Sequence, residues 1–189
     1  MARRGNLFVI SGPSGAGKGT LVSRVLDRVP DAWVSVSATT RPPREGEVDG
    51  TSYFFMTDDQ FDDLVARGGF LEWAHVHAHK YGTPLASVKE HIDAGDQVIL
   101  EIDVQGAFQV REKLPEAHLV FIDVPSEKEL LARLRGRGTE SEDVIAARMK
   151  VAQVELSQKE KYDYLVVNDN LDRATDELVA YIESKANQS

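Results

Sequence analysis

The 189-residue chain contains no cysteine, which excludes disulfides, thiolate metal sites and thiol nucleophiles together. Long apolar runs are missing too. The longest, Leu178 to Ile182, is far short of the about 20 residues that cross a bilayer. Residues 1–6 lead straight into Leu7–Ile10, a run too short for the apolar core of a signal peptide, so the expected compartment is the cytoplasm. Positive charge is in deficit, with 22 Lys and Arg against 31 Asp and Glu and a net charge of −9. A broad basic surface is what polymeric nucleic acid needs, so neither nucleic acid nor a membrane is an expected partner. A small anion can still bind where a few cations are concentrated. With 42% hydrophobic and 28% charged residues, the composition is that of a globular chain of one domain. Neither an internal repeat nor a long linker is visible.

What is present alternates. Leu7–Ile10, Val98–Leu100, Leu119–Ile122 and Tyr164–Val167 read as short, fully apolar strands of a buried parallel sheet. Helices are predicted over Lys18–Arg28, Pro84–Ala94, Val104–Lys113, Ser126–Arg135, Ser141–Tyr162 and Asp172–Ser184. Ser126 with Glu129, and Thr139 with Glu142, have the spacing of capping boxes. Strand and helix in alternation predict an α/β fold of three layers, a central parallel sheet covered on both faces. Ser37–Gly82 breaks the rhythm with a Pro42-Pro43 pair, a turn-rich stretch and the aromatic run Tyr53–Met56. It reads as a small mixed α/β insertion, and Arg133–Gly138 as a mobile basic loop.

Chemistry is concentrated in Gly12-Pro13-Ser14-Gly15-Ala16-Gly17-Lys18-Gly19-Thr20, between the first strand and the first helix. The spacing is that of a phosphate-binding loop. Glycines let successive N–H groups turn inward, the helix N-terminus adds positive potential, and Lys18 supplies a point charge. The strict motif has Ser or Thr directly after the lysine, whereas Gly19 stands there and Thr20 follows. Glycine in that place points to nucleoside monophosphate kinases and away from switch GTPases. A second anion site is suggested by Arg41 and Arg44, held apart by two prolines that fix φ. Their guanidinium forks suit a phosphate. Two anion sites are what phosphoryl transfer between two phosphorylated ligands needs.

Read in order, the motifs resemble a guanylate kinase from about Asn6 to Ile182. They are Gly12–Thr20, Ser37–Arg44, Gly50–Phe55, Phe70–Trp73, Tyr81–Thr83, Glu101–Gly106, Arg133–Gly138 and Val166–Asp169. The resemblance implies a P-loop NTPase-type fold in a single domain (1–189). Its core would be 5–36, 84–126 and 160–189, its GMP-binding insertion 37–83 and its lid 127–159. It implies transfer of the ATP γ-phosphoryl group to GMP, with Mg2+, in purine nucleotide salvage. Arg41, Arg44, Tyr53 and Tyr81 would hold the GMP phosphate, and Ser37, Glu72, Thr83 and Asp103 would surround guanine. Guanine offers N1–H and an amino group side by side, which one carboxylate can accept, whereas adenine has no N1 proton. Arg133, Arg137 and Arg148 would join Lys18 around the transferring phosphate, and Asn168 would contact adenine. Thr20, with Glu101 or Asp103, would serve the metal, although family members commonly carry Asp where this chain has Glu101.

Four other readings fit the sequence less well. His75, His77 and His79 alternate as a metal site on a strand would, but they read better as exposed positions of the insertion. Trp33, Trp73 and Phe108 read as packing residues. A catalytically silent, peptide-binding relative is set against by Lys18, Arg41, Arg137 and Asp103 together, and a P-loop kinase for another acceptor by Ser37, Glu72 and Thr83.

Overall fold

The computed structural model describes residues 4–136 and 141–188. In chain order these form β1 (Leu7–Ser11), α1 (Lys18–Arg28), β2 (Ala32–Val34), β3 (Ala38–Thr39), β4 (Phe54–Phe55), α2 (Asp58–Ala66), β5 (Phe70–Val76) and β6 (His79–Pro84). There follow α3 (Leu85–Ala94), β7 (Gln97–Glu101), α4 (Val104–Lys113), β8 (His118–Asp123), α5 (Glu127–Gly136), α6 (Glu142–Leu156), a 3-10 turn, β9 (Tyr164–Val167) and α7 (Leu171–Ala186).

The apolar strands do what their composition requires. Order β2-β7-β1-β8-β9 gives a five-stranded sheet, parallel throughout. Side chains alternate across β1, so Phe8 and Ile10 enter a core with α1 and α7 while Leu7 and Val9 enter one with α3 and α4. Being apolar on both faces is what places helices on both sides, giving the expected three layers. Leu21, Val22 and Val25 of α1 bury at helical spacing, and Arg24 and Arg28 tie that helix to Asp172 and Asp176 on α7. Among the described residues no helix is long and apolar enough to cross a membrane.

Residues 38–84 carry a separate four-stranded mixed sheet, order β4-β3-β6-β5, with α2 against it. Its fully buried core is small, Ala38, Phe61 and Phe70, with Trp73 packed against it. Trp33 and Phe108 pack against the α3–α4 side of the main sheet. All three are thus packing residues.

Several local expectations need correction. The helix predicted over Ser141–Tyr162 ends at Leu156, and Lys159–Lys161 forms the 3-10 turn. Ser157–Lys161 has no apolar residue to continue the buried stripe, and Lys159 instead pairs with the buried Asp123 at 2.7 Å. Only half of the first capping box forms. Glu129 N–H donates to Ser126 Oγ, but the Glu129 carboxylate accepts from Arg133. Ser141 caps α6, the Glu142 carboxylate pairs with Arg135, and Thr139 lies outside the described residues. The one reciprocal box described, Thr57 with Gln60, went unread. Of the basic loop, Arg133–Gly136 is the last turn of α5 and the rest lies outside the described residues. Strands β2, β3 and β6 also went unread, because they are short or polar and owe their extended form to neighbouring strands. His77 sits in the hairpin turn at φ 55. The register pairs His75 with Lys80 and Val76 with His79, so His75 and His79 lie on opposite faces.

Candidate active site

The loop from β1 to α1 is shaped by its glycines: Gly12, Gly15 and Gly17 take φ of 146°, 91° and 89°. No side chain caps α1 and no acidic residue occupies its first turn. Its terminal N–H groups therefore have no carboxylate competing for them, as an anion site requires. Lys18 folds back over the loop and donates to the carbonyls of Gly12 (2.6 Å) and Pro13 (3.1 Å). Across the cleft, Arg148 of α6 donates to Ser14 Oγ at 3.4 Å. Gly12, Ser14, Lys18, Glu101, Asp103 and Arg148 line a cavity of about 550 Å³.

Beneath the loop lies Asn168, 6% exposed. Its Nδ2 donates to Ala16 O at 2.8 Å, and a Cβ on Gly17 would come within 2.5 Å of that nitrogen. Arg133 Nη2 donates to the Asn168 carbonyl at 2.8 Å. Asn168 thus braces the loop from the end of β9 and links it to α5. Arg133 is turned to Asn168 and Glu129 and does not line the cavity. Arg137 lies outside the described residues, and Pro13, Gly19 and Thr20 complete the loop and the first turn of α1.

The other side of the candidate site is built around the second sheet. Arg41, its side chain 11% exposed, donates to Glu47 Oε1 at 2.7 Å. Its guanidinium lies 5.4 Å from the Tyr53 ring centroid, and Tyr53 and Tyr81 meet edge-on at 6.0 Å. Glu47, and less strongly Tyr81, raise the Arg41 pKa above its ordinary value. Arg44 is exposed in the turn that follows. Ser37, Tyr53, Thr83 and Glu101 line a second cavity of about 330 Å³. The two cavities abut, sharing Glu101 and Ile102.

Behind this second cavity, Glu72 of β5 faces Thr83 of β6 across the strand pair, and Thr83 Oγ1 donates to Glu72 Oε1 at 2.6 Å. Both residues are buried. Burial pushes the Glu72 carboxyl above the usual carboxylate range; Thr83 opposes the shift and nearby Asp103 adds to it. Asp103 caps α4, its Oδ1 accepting from Gly106 N–H at 2.7 Å. A Cβ on Gly106 would stand 3.2 Å from Glu72 Oε2 and 3.3 Å from Asp103 Oδ1, so glycine there lets carboxylates from β5 and from the start of α4 converge. Glu101 has both carboxylate oxygens 3.7 Å from the Cβ position of Gly19, beside the loop.

Sequence reasoning missed the brace at Asn168, the partner of Arg41, and the α6 wall of the larger cavity. That wall includes Val144 and Val151, 44% and 59% exposed, and half-buried Glu155, whose carboxyl burial pushes up. A signal for the wall existed: α6 carries apolar residues on two sides, Ile145 and Ala152 inward, Val144 and Val151 outward.

The sequence profile described as "Guanylate kinase" matches residues 4–185. The chain belongs to the guanylate kinase family. A guanylate kinase of Synechococcus sp. (strain CC9902) is 52% identical over 98% of this chain and 100% of its own length. One of Parasynechococcus marenigrum is 55% identical over 90% of this chain and 93% of its own length. Among solved structures, the guanylate kinase from Anaplasma phagocytophilum superposes with a TM-score of 0.74 at 30% identity, covering 97% of this chain and 87% of that one. The activity that goes with membership is ATP:GMP phosphotransfer. The catalytically silent, peptide-binding alternative is not favoured.

Proposed function

We propose that the two abutting cavities are the ATP and GMP halves of one phosphotransfer site. The observation that carries this reading is their shared wall at Glu101 and Ile102, with an uncapped phosphate loop on one side and buried Glu72 behind the other. The loop N–H groups and Lys18 bind the ATP phosphates. Arg41, Arg44, Tyr53 and Tyr81 hold the GMP phosphate, whose oxygen attacks the γ-phosphorus in line while the bond to the β-phosphate oxygen breaks. The GMP phosphate is already nucleophilic near neutral pH, so no general base is required. Arg148 supplies positive charge over the transferring group, joined by Arg133 and Arg137. Asn168 serves the ATP side through the loop it braces.

Guanine is selected by Ser37 and Thr83 on the second cavity, by Glu72 behind it, and by Asp103, which lines the first cavity and stands beside Glu72. Ionised Glu72 accepts from N1–H and the amino group, and a hydroxyl donates to O6. AMP would set an acceptor against the buried carboxylate, which leaves that charge unpaired. dGMP keeps every one of these contacts and is an expected acceptor.

The donor set fits Mg2+ carried on the nucleotide. Hard oxygens are present in Thr20 and in Glu101, which stands beside the loop, while Asp103 has one oxygen engaged by Gly106. Among the described residues no three His, Cys, Asp or Glu side chains converge, so the phosphates would supply most of the coordination. When bound, the ion neutralises charge on the β- and γ-phosphates. The reaction is assigned to the cytoplasm.

A coupled assay of ADP release with MgATP, comparing GMP, dGMP, AMP, CMP and UMP, tests the reading. Turnover confined to GMP and dGMP is expected. A folded protein that turns over none of them would overturn it.

A further inference from the structure

We propose that Glu47, which has no part in the assignments above, is a positioning residue for the acceptor phosphate: it pre-aims Arg41 and fixes the backbone of Arg44 before GMP arrives. The proposal rests on the reading that these two arginines take that phosphate. Residues 44–47 close a tight turn, Glu47 N–H donating to Arg44 O at 3.0 Å. The turn carries the Glu47 side chain back along the segment. Its Oε1 accepts from Arg41 Nη2 at 2.7 Å, and its Oε2 accepts from the backbone N–H of Arg44, also at 2.7 Å. One carboxylate therefore grips both arginines, one by its side chain and one by its main chain. Arg41 Nη1 is held in turn by Pro42 O at 2.8 Å, and the rings of Tyr53 and Phe55 lie 5.4 and 6.0 Å from its guanidinium carbon.

The pair is unlike the surface ion pairs of this chain. Its side chains are 11% and 21% exposed, whereas those of Arg135 and Glu142 are 53% and 71% exposed. Screening is weaker there, and the bonds from Nη2 to Glu47 and from Nη1 to Pro42 O set the guanidinium in one orientation. An arginine free to sample rotamers would lose that freedom when it closed on phosphate. An arginine already held loses little, and the difference appears as affinity. A guanidinium has five N–H donors, so Glu47 and Pro42 leave donors for the ligand.

The test compares wild type with Glu47→Ala and Glu47→Gln, measuring KM for GMP, KM for ATP, kcat and the affinity for guanosine. Guanosine has the base and sugar but no phosphate. Glu47→Ala should raise KM for GMP about 10- to 100-fold, the loss of about one charge-assisted hydrogen bond. KM for ATP and guanosine affinity should stay within about twofold, and kcat should fall less than KM rises. Glu47→Gln keeps one acceptor and should lie between the two; it carries the test if Glu47→Ala fails to fold. An unchanged KM for GMP overturns the proposal. So does a lowered one, which would make Glu47 a competitor for the phosphate, and so does an equal loss for guanosine and ATP, which would make it a fold residue. If wild type itself neither binds guanosine nor phosphorylates GMP, the reading of the site fails instead.

Discussion

The donor and acceptor halves of the proposed site would handle phosphate by opposite means. The donor half is mostly backbone: positive-φ glycines, an uncapped helix start and a buried asparagine pinning the loop to the large core. The proposed acceptor half is mostly side chains, Tyr81 and Glu72 on strands and Arg41 and Tyr53 just outside them, on a sheet whose fully buried core is three residues. A backbone cradle is rigid and tolerant of what nucleotide it receives. Side chains on a small sheet discriminate, and they need partners such as Thr83 and Glu47 to stay aimed. The proposed site thus places specificity where the fold is thinnest.

The contrast can be broken at four points. Lys18→Met should cost about 10³-fold in kcat, since it removes a charge from the transition state, while thermal unfolding stays within a few degrees of wild type. Arg41→Met should raise KM for GMP by about 10²-fold and leave KM for ATP nearly unchanged, since Arg41 belongs to the acceptor half; parallel rises in both would erase the division. Glu72→Gln should reduce discrimination between GMP and AMP by about 10²-fold, measured as the ratio of kcat/KM values, because an amide donates as well as accepts. Asn168→Ala should raise KM for ATP about tenfold, because the Ala16 carbonyl loses its donor, and should leave guanosine affinity alone.

A pH series sharpens the same contrast. In the proposed site Glu72 binds guanine as the carboxylate, and burial raises its pKa in the free protein. Guanosine affinity is therefore full above that raised pKa and is lost as pH falls through it, earlier than an ordinary carboxylate would allow. Glu72→Gln should flatten the profile. Guanosine is the probe because it has no phosphate to titrate.

Much of the fold was readable because its signals are local. A strand apolar on both faces, followed by glycines and an amphipathic helix, states the strand–loop–helix unit within residues 7–28. The Pro42-Pro43 pair stated that Arg41 and Arg44 are held apart, but not what holds them. Glu72 and Thr83 could be named through family resemblance alone; their hydrogen bond follows from the register of β5 against β6, which no pattern in either strand specifies. The Asn168–Ala16 bond spans 152 residues of chain and leaves no periodic trace.

Residue order thus dictates what depends on φ preference and hydrophobic period, properties of neighbours in the chain: the phosphate loop, the alternation of strands and helices, and the stiff arginine segment. That Glu101 and Ile102 become a wall common to two cavities, that Gly106 admits two carboxylates, and that Asn168 braces the loop all depend on how separate layers pack. Those contacts are set by sheet order and close approach across long sequence separations, where the energy lies in the assembled core and not in any one segment.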